Sequence, residues 1–419
     1  MPVTLSRFSQ QLSAESAFTV LALAKRLAAQ GREIIELEIG DSPFESPQVA
    51  KQAAIAAIQD NQTHYGPSPG LPAFREAAAA FVKREFGIDA EAANIVAMPG
   101  AKPVEQFFCE AFLNPGDGVL VFSPHFSTYP ANIARRGART ILTPLLQQRE
   151  FRPDPAAIER FLDEDEAPKA IFLNSPHNPT GGVAHEEDLR AIANLIRGRD
   201  IALFSDEPYC HMVWTGRHHS ILAEAGMLEQ CVGAYTFSKS YSMSGWRLGF
   251  AVCGERVAER IGVMINTALS CVPPFVQMAG IAALESAAEA RDADMRQFQE
   301  KVERLIGGLQ RIDGIQTLPP TSTFYAFPRV ADICNRLQIT SHGLAMYFLE
   351  GADDSFGVAC LGGECFGEAG GGFLRFSCSE TDDRIDAALA FISDAIGRTD
   401  RVAAYRQAHP EYQLGGPYA

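Results

Sequence analysis

Hydrophobic and polar positions follow a helical period in the first part of the chain. Apolar residues recur there every three or four positions, which is typical of amphipathic helices. One short segment, residues 33–39, instead alternates in the manner of a strand. The pattern predicts helices over residues 18–30, 47–60 and 71–86, with the strand between the first two.

From about residue 94 the pattern changes to short apolar runs that alternate with helical segments. Runs that are apolar on both faces are typical of a largely parallel sheet covered by helices. Polar, turn-forming motifs directly follow five of the six runs, where α/β proteins bind ligands. The motif of the sixth run, residues 248–252, precedes it, which indicates a strand of opposite direction. The predicted strands are residues 94–98, 119–122, 170–173, 201–204, 232–237 and 248–252.

The last third of the chain opens with a long charged amphipathic helix, predicted over residues 289–311. Three short segments then predict one small sheet, and residues 384–395 predict the last helix. The polar tail is unassigned, and both disorder and packing on a partner subunit stay open. The segments of the small sheet are residues 314–327, 358–359 and 373–376.

Composition narrows the class of protein. The chain has 419 residues, of which 47% are hydrophobic and 21% charged, enough for two domains with large cores. Its net charge of −15 disfavours nucleic acid and anionic membranes as partners, because both require a basic face. The nine cysteines lack zinc or redox spacing, so we expect reduced thiols in a cytoplasmic protein. No metal site and no membrane span is predicted.

Lys239 is the most informative candidate residue. It follows the predicted strand 232–237, lies between two serines, and precedes Arg247 by eight positions. A lysine in this setting can form a Schiff base with a carbonyl cofactor. The hydroxyl groups and the guanidinium can hold the phosphate of that cofactor. A lone lysine in a polar loop is more often a solvated surface residue, but the remaining motifs overturn that interpretation.

The segment SKSYSMSGWRLGF, residues 238–250, resembles the cofactor-lysine signature of class I/II aminotransferases. These are pyridoxal-phosphate (PLP) enzymes of fold type I, and the likeness is to the aspartate-aminotransferase type. It extends from about Ser13 to Ile396. It implies an α/β fold, in which a large domain has a mostly parallel seven-stranded sheet between helices and both termini form a smaller α+β domain. The implied parts are an N-terminal segment of the small domain (1–49), the PLP-binding domain (50–288), the C-terminal small domain (289–399) and a polar tail (400–419).

The resemblance implies a phosphate site made from one turn and one loop. Gly100 closes a strand and precedes a helix, and free N–H groups at a helix N-terminus bind phosphate. Alone, this would be an ordinary turn. Tyr65 is implied to reach the phosphate of a neighbouring subunit, which implies a homodimer with shared sites. The other implied phosphate ligands are the backbones of Ala101 and Lys102 and the side chains of Thr236, Ser238 and Arg247.

The remaining cofactor contacts come from four strand ends. The resemblance implies that Phe126 stacks on the pyridine ring, although alone it would fit a core position. Asn178, in NSPHNPTG (174–181), is implied to bind the cofactor 3-oxygen and to touch the substrate carboxylate. Asp206 is implied to keep the pyridine nitrogen protonated, and Tyr209 to donate to the 3-oxygen. Lys239 is the implied attachment point and general base.

Arg375 is the candidate ligand for the substrate α-carboxylate. It lies amid apolar residues in FLRFS (373–377), and an unpaired buried arginine is costly. An internal salt bridge and a substrate carboxylate are equal alternatives from the residues alone. The resemblance favours the substrate, with the backbone of Gly40 facing the same group. The segments GDSPF (40–44) and TSTFY (321–325) depart from the family pattern, and we expect the second near the substrate entrance.

These residues predict ping-pong transamination between an L-amino acid and a 2-oxo acid. Lys102 matches a position that contacts a distal carboxylate in one aspartate-type subgroup, so a dicarboxylate substrate ranks first. Phe18, in Glu15-Ser16-Ala17-Phe18, could equally favour an apolar or aromatic side chain. Open alternatives are a PLP-dependent C–S β-lyase, an amino-acid cyclase or oxidase, a non-catalytic PLP-sensing protein and an inactive scaffold. The sensing alternative is disfavoured because no basic N-terminal DNA-binding segment is present.

Overall fold

The computed structural model describes residues 3–12 and 14–418. Ser13, where the resemblance begins, lies outside the described residues, as do Met1, Pro2 and the last residue of the tail, Ala419. The strands are β1 Glu33–Glu36, β2 Ile95–Met98, β3 Gly118–Ser123, β4 Arg139–Pro144, β5 Pro168–Asn174, β6 Ala202–Asp206, β7 Cys231–Thr236, β8 Gly249–Cys253, β9 Tyr325–Ala326, β10 Phe356–Ala359, β11 Leu361–Gly362 and β12 Leu374–Ser377. The helices are α1 Arg7–Gln11, α2 Ser16–Ala29, α3 Gln48–Gln59, α4 Pro72–Phe86, α5 Lys102–Phe112, α6 Tyr129–Arg135, α7 Pro155–Glu164, α8 Glu186–Ile196, α9 Glu255–Ala268, α10 Pro274–Ser286, α11 Ala288–Leu309, α12 Ala331–Leu337, α13 Ser341–Met346, α14 Asp382–Ala395 and α15 Thr399–Ala408.

A seven-stranded sheet in the order β2-β8-β7-β6-β5-β3-β4 forms the centre of the molecule. Strand β8 is antiparallel to both neighbours, and every other pair is parallel. The prediction that residues 248–252 run in the opposite direction is therefore confirmed. Apart from β4, the strands of this sheet are buried along most of their length, because helices cover both faces.

The apolar runs did not predict strand β4. It lies at the edge of the sheet beside β3, and its positions are a mixture of half-buried and exposed. An edge strand needs no continuous apolar run, so its sequence RTILTP carried little signal.

Aromatic side chains fill the space between the sheet and its helices. On one face Phe74 of α4 packs against Phe237 and Phe250, with ring centroids 6.2 and 6.3 Å away. On the other face Phe108 of α5 packs against rings from β5 and β6, Phe172 and Phe204, both at 5.5 Å. These contacts fix helix α5 over the carboxyl ends of the central strands, where the candidate cofactor residues lie.

The predicted single small sheet is wrong, since its segments form two separate sheets. Strand β10 pairs in parallel with β1, which brings the N-terminal strand next to a segment more than 300 residues later. Strands β9, β12 and β11 form the other sheet, in which all pairs are antiparallel. Val358 of β10 is the partner of Ile35 of β1, and both are buried, as are Ile34 and Ala359, so burial of these apolar side chains favours the pairing.

The segment after residue 399 packs on its own chain. Helix α15 follows α14, so residues 384–395 do not form the last helix. Val402 and Tyr405 of α15 are buried, and the Tyr405 hydroxyl donates to Glu350 Oε1 at 2.9 Å. This packing on the same chain argues against disorder of the helix. Among the helices of the described residues, none has the length and apolar character needed to cross a membrane.

Candidate active site

A cavity of about 600 Å³ opens at the carboxyl ends of the central strands. This volume lies in the range of small-molecule sites. Tyr65 is the one predicted site residue that does not line the cavity, and it is 86% exposed. The predicted residues that line it are Gly40, Ala101, Lys102, Phe126, Asn178, Asp206, Tyr209, Thr236, Ser238, Lys239, Arg247 and Arg375.

Lys239 enters the cavity from the end of β7. Its Nζ donates a hydrogen bond to the carbonyl oxygen of Gly40 and lies 5.9 Å from the centroid of the Tyr209 ring. The Phe324 ring is 5.6 Å from the same atom. The amine is therefore held at the wall by one carbonyl and two aromatic rings, next to the open space.

One end of the cavity is built to hold an anion. Thr236, Ser238 and Arg247 converge there, with 2.9 Å between the two hydroxyl oxygens and 3.4 Å between Arg247 Nη1 and Ser238 Oγ. Arg247 also donates to the carbonyl oxygens of Ser244 and Pro99 at 2.7 and 3.2 Å, which fix the guanidinium. The N-terminus of α5 borders the same end, where Ala101 and Lys102 line the cavity.

Gly100 makes room for this arrangement. Its φ of +92° lies in the left-handed region, and a Cβ there would collide with the guanidinium of Arg247, with Cζ only 3.1 Å away. A side chain at position 100 would thus fill the cradle. Two hydroxyls, a fixed guanidinium and a helix N-terminus fit a phosphate monoester.

Asp206 provides a carboxyl group at the end of β6. The side chain is buried, and the Tyr129 hydroxyl donates to its Oδ2 at 2.5 Å. Burial, aided by the nearby charge of Glu207, raises the pKa of Asp206 to about 6, although the hydrogen bond from Tyr129 acts to lower it. A cationic group in the cavity would favour the ionised form, so this position fits a protonated pyridine nitrogen. Phe126 lines the same cavity and offers a ring face to such a group.

Tyr209 and Tyr325 form a buried hydroxyl pair, with 3.1 Å between the oxygens. Burial raises the pKa of Tyr209 well above its ordinary value. Gly40 packs so closely on Tyr325 that a Cβ at position 40 would lie 2.7 Å from the ring Cζ. The sequence prediction missed Tyr325 as a site residue, although it expected segment 321–325 near the substrate entrance.

Arg375, on strand β12, is 4% exposed and aims at the cavity. Its Nη1 donates to Asn178 Oδ1 at 2.9 Å, and its Nη2 donates to the carbonyl oxygen of Glu38. The guanidinium lies between the rings of Tyr325 and Phe366, 4.3 and 4.9 Å from their centroids. Among the described residues no carboxylate forms an ion pair with Arg375, which argues against the internal salt bridge. The Asn178–Pro179 and Ser175–Pro176 bonds of the neighbouring loop are cis.

Two buried carboxyl groups near the cavity were missed. Glu38 is fully buried, and neither oxygen of its carboxyl group has a hydrogen-bond partner among the described residues; burial raises its pKa to about 7. Glu105 accepts from Thr128 Oγ1 at 2.7 Å and from Asn132 Nδ2 at 2.6 Å, and burial raises its pKa to about 8. The spacing of Glu105 from Lys102 on one helix face could have indicated its position.

Lys102 at the start of α5 forms an ion pair with Glu15, the residue that precedes α2. Lys102 Nζ also lies 5.7 Å from the centroid of the Phe18 ring and 5.3 Å from that of Phe126. Lys102 and Phe18 are thus neighbours, although they had indicated different substrates. The sequence prediction missed that Glu15 is the partner of Lys102.

The family model for aminotransferase class I and II matches residues 32–392. The chain belongs to the class I and II aminotransferases. An aspartate aminotransferase of Pyrococcus abyssi is 31% identical over 366 residues, which are 87% of this chain and 92% of that protein. Aromatic-amino-acid aminotransferase 2 of Thermococcus litoralis is 31% identical over 365 residues, 86% of this chain and 91% of that protein. The structure of Thermus thermophilus aspartate aminotransferase with maleate superposes with a TM-score of 0.86 at 28% identity, covering 94% of this chain and 100% of that one.

These matches confirm the predicted enzyme class and fold. The protein is a PLP-dependent aminotransferase of the aspartate-aminotransferase type, and its cofactor is pyridoxal 5′-phosphate. The anion end of the cavity, the carboxyl of Asp206 and the amine of Lys239 fit that cofactor. The lyase, cyclase, oxidase, sensing and scaffold alternatives have no support among these named relatives.

Proposed function

We propose that this aminotransferase holds PLP through Lys239 and anchors its phosphate at the anion end of the cavity. The convergence of the Lys239 amine, this anion end and the Arg375 guanidinium on one cavity carries the proposal. Bound PLP supplies a conjugated ring that accepts the electrons left when the substrate Cα loses its proton. The phosphate ligands are the backbones of Ala101 and Lys102 and the side chains of Thr236, Ser238 and Arg247.

The protein groups around the ring have separate roles. The carboxylate of Asp206 would pair with the ring nitrogen of PLP and keep that nitrogen protonated. The Tyr129 hydroxyl donates to the Asp206 carboxylate and orients it. Tyr209 and Asn178 bind the 3-oxygen, and Phe126 stacks on the ring. Once the substrate amine has taken the place of Lys239 on the cofactor, the freed Lys239 Nζ would act as the general base that moves the proton of the substrate Cα to C4′ of the cofactor.

Arg375 binds the α-carboxylate of the amino acid or 2-oxo acid. Its guanidinium is held by Asn178 and the Glu38 carbonyl, while its Nε has no hydrogen-bond partner among the described residues. A planar fork so fixed suits a carboxylate. Gly40 packs beside it and keeps Tyr325 close, which shapes the same subsite.

For the substrate side chain we propose a dicarboxylate as one partner: aspartate, glutamate or 2-oxoglutarate. Lys102 lines the cavity, and its ammonium group has no role toward the cofactor or the substrate α-carboxylate in this proposal. The aspartate aminotransferase relatives and the solved complex with maleate support this choice.

We further propose a cytoplasmic homodimer with shared active sites. Tyr65 and Leu269 are both exposed at the surface, and the Gly66 N–H donates to Cys271 Sγ at 3.4 Å, which joins the two segments that carry them. A partner subunit would cover this surface and receive Tyr65 at its phosphate.

The nine free thiols are typical of the cytoplasm. The division into residues 1–49, 50–288 and 289–399 belongs to the same proposal.

Absorbance spectra of the purified enzyme test these roles. The wild-type protein should show the visible band of lysine-bound PLP, and Lys239→Ala should lose it while still binding PLP reversibly. Adding aspartate or glutamate should convert that band to the pyridoxamine form. Release of pyruvate or ammonia without this conversion would refute transamination, and an unchanged band in Lys239→Ala would refute the assigned lysine.

A further inference from the structure

The ion pair between Glu15 and Lys102 occupies the place at which a second substrate carboxylate would bind. Four cations line the cavity among the described residues: Lys102, Lys239, Arg247 and Arg375. The last three have roles toward the cofactor or the α-carboxylate in the proposed function. Lys102 is thus the cation that remains for the substrate side chain, and the chain already supplies it with a carboxylate.

The environment of this pair is partly apolar and partly acidic. The Glu15 and Lys102 side chains are 20% and 44% exposed, so solvent screens the pair only in part. The rings of Phe18 and Phe126 flank the Lys102 amine. Glu105 lies one turn along α5 and interacts electrostatically with Lys102. With the pair closed, this end of the cavity presents rings and a neutralised cation.

The Glu15 side chain is free to leave without unwinding a helix. Its backbone carbonyl accepts from the N–H groups of Phe18 and Thr19, at 3.0 and 3.3 Å, and so begins α2. The side chain makes no capping hydrogen bond to that helix. Rotation of the carboxylate away from Lys102 therefore breaks one ion pair and leaves the helix start intact.

We propose that Glu15 is a specificity-determining residue that takes the place of the distal carboxylate when the substrate has none. An apolar or aromatic substrate leaves the pair closed and packs on Phe18. A dicarboxylate displaces Glu15 and binds Lys102 in its stead. One cavity then serves both half-reactions of a dual-specificity aminotransferase. This inference rests on the proposed assignment of Lys102 to the substrate side chain.

The pair should weaken dicarboxylate binding by a modest factor. A ligand that needs an uncovered Lys102 binds more weakly in proportion to the fraction of molecules in which the lysine is free. For a partly exposed ion pair this factor is about fivefold. Glu15→Gln removes the competing charge and keeps the size of the side chain, so the affinity for a dicarboxylate should rise by that factor.

Calorimetric titration of the PLP-loaded enzyme tests the inference with two unreactive ligands, maleate and 3-phenylpropanoate. Glu15→Gln should bind maleate about fivefold more tightly than wild type, and 3-phenylpropanoate with less than a twofold change. The kcat/KM ratio of aspartate to phenylalanine should rise by the same factor. Glu186→Gln, which removes a surface glutamate paired with Arg190 on α8, is the matched control and should leave both ligands unchanged.

Lys102→Met separates this inference from the proposed function. It should weaken maleate and leave 3-phenylpropanoate bound, in wild type and in the Glu15→Gln background alike. Equal maleate affinity in wild type and Glu15→Gln, with Lys102→Met still impaired, would overturn the role of Glu15 and preserve that of Lys102. Maleate binding that is insensitive to Lys102→Met would overturn the dicarboxylate assignment itself.

Discussion

Replacing Gly100 by alanine should detach Arg247 from the phosphate of PLP. Position 100 has φ of +92°, and the added Cβ would occupy space held by the Arg247 guanidinium. The guanidinium cannot shift freely, because the carbonyl oxygens of Ser244 and Pro99 hold it at 2.7 and 3.2 Å. Gly100→Ala therefore introduces backbone strain and displaces a ligand of the cofactor.

The two effects have different sizes and can be separated. An alanine in the left-handed region costs about 1–2 kcal/mol of folding stability. Loss of the charge-assisted hydrogen bonds from Arg247 costs about 2 kcal/mol of binding free energy, or about thirtyfold in the dissociation constant of PLP. Gly87→Ala is the matched control. Gly87 ends helix α4 with φ of +72° and has no atom within 4 Å of an added Cβ among the described residues.

Titration of the apoenzyme with PLP, followed by absorbance, measures the dissociation constant of PLP. Urea denaturation of the apoenzyme measures the loss of folding stability that the backbone strain causes. Both variants should lose stability by a similar amount, and only Gly100→Ala should bind PLP about thirtyfold more weakly. Equal PLP affinity in the two variants would refute the assignment of Arg247 to the phosphate.

Three further substitutions test the substrate end of the site. Arg375→Lys keeps the charge but loses the planar fork and the stacking between Tyr325 and Phe366. In half-reaction kinetics, kcat/KM should therefore fall about 100-fold. A loss below fivefold would contradict bidentate binding of the substrate carboxylate by Arg375. Tyr325→Phe leaves the buried Tyr209 hydroxyl without its 3.1 Å partner and should lower the free energy of unfolding by about 1–3 kcal/mol in urea denaturation, whereas unchanged stability would contradict the pairing. The pKa of Glu38 is raised from 4.5 to about 7, so between these pH values the folded chain binds more protons than the unfolded chain, and stability falls as pH rises. Glu38→Gln should remove a decline of up to about 3 kcal/mol across that window, and an unaltered pH profile would show that Glu38 is not the source.

The central sheet and its ligand positions could be predicted because each depends on local sequence. Asn178, Asp206 and Lys239 each follow an apolar run, and the carboxyl ends of parallel strands meet at one edge. The opposite direction of strand β8 could also be predicted, because its motif precedes the strand instead of following it. The family resemblance then placed these residues around one cofactor.

What the sequence could not show depends on long-range pairing and on burial. Strand β4 is an edge strand without a continuous apolar run, and β10 finds its partner more than 300 residues away. In the sequence, Glu38 is a polar residue of a predicted strand. Only the fold reveals that its carboxyl group is buried without a hydrogen-bond partner among the described residues. Glu15 and Lys102 are 87 residues apart, so their pairing had no local signal.

The contact between Arg375 and the Glu38 carbonyl has a consequence for biosynthesis. The residues proposed to hold PLP, apart from Tyr65 of a partner, lie between positions 101 and 247, whereas Arg375 joins segments 337 residues apart. Chains emerge from the ribosome N-terminus first, so the sheet and the cofactor cradle leave the ribosome before Arg375 has been translated. A nascent chain therefore contains the residues proposed to bind PLP before it contains the residue proposed to bind the substrate α-carboxylate. The order of translation would then keep a half-made enzyme from acting on the cellular amino-acid pool.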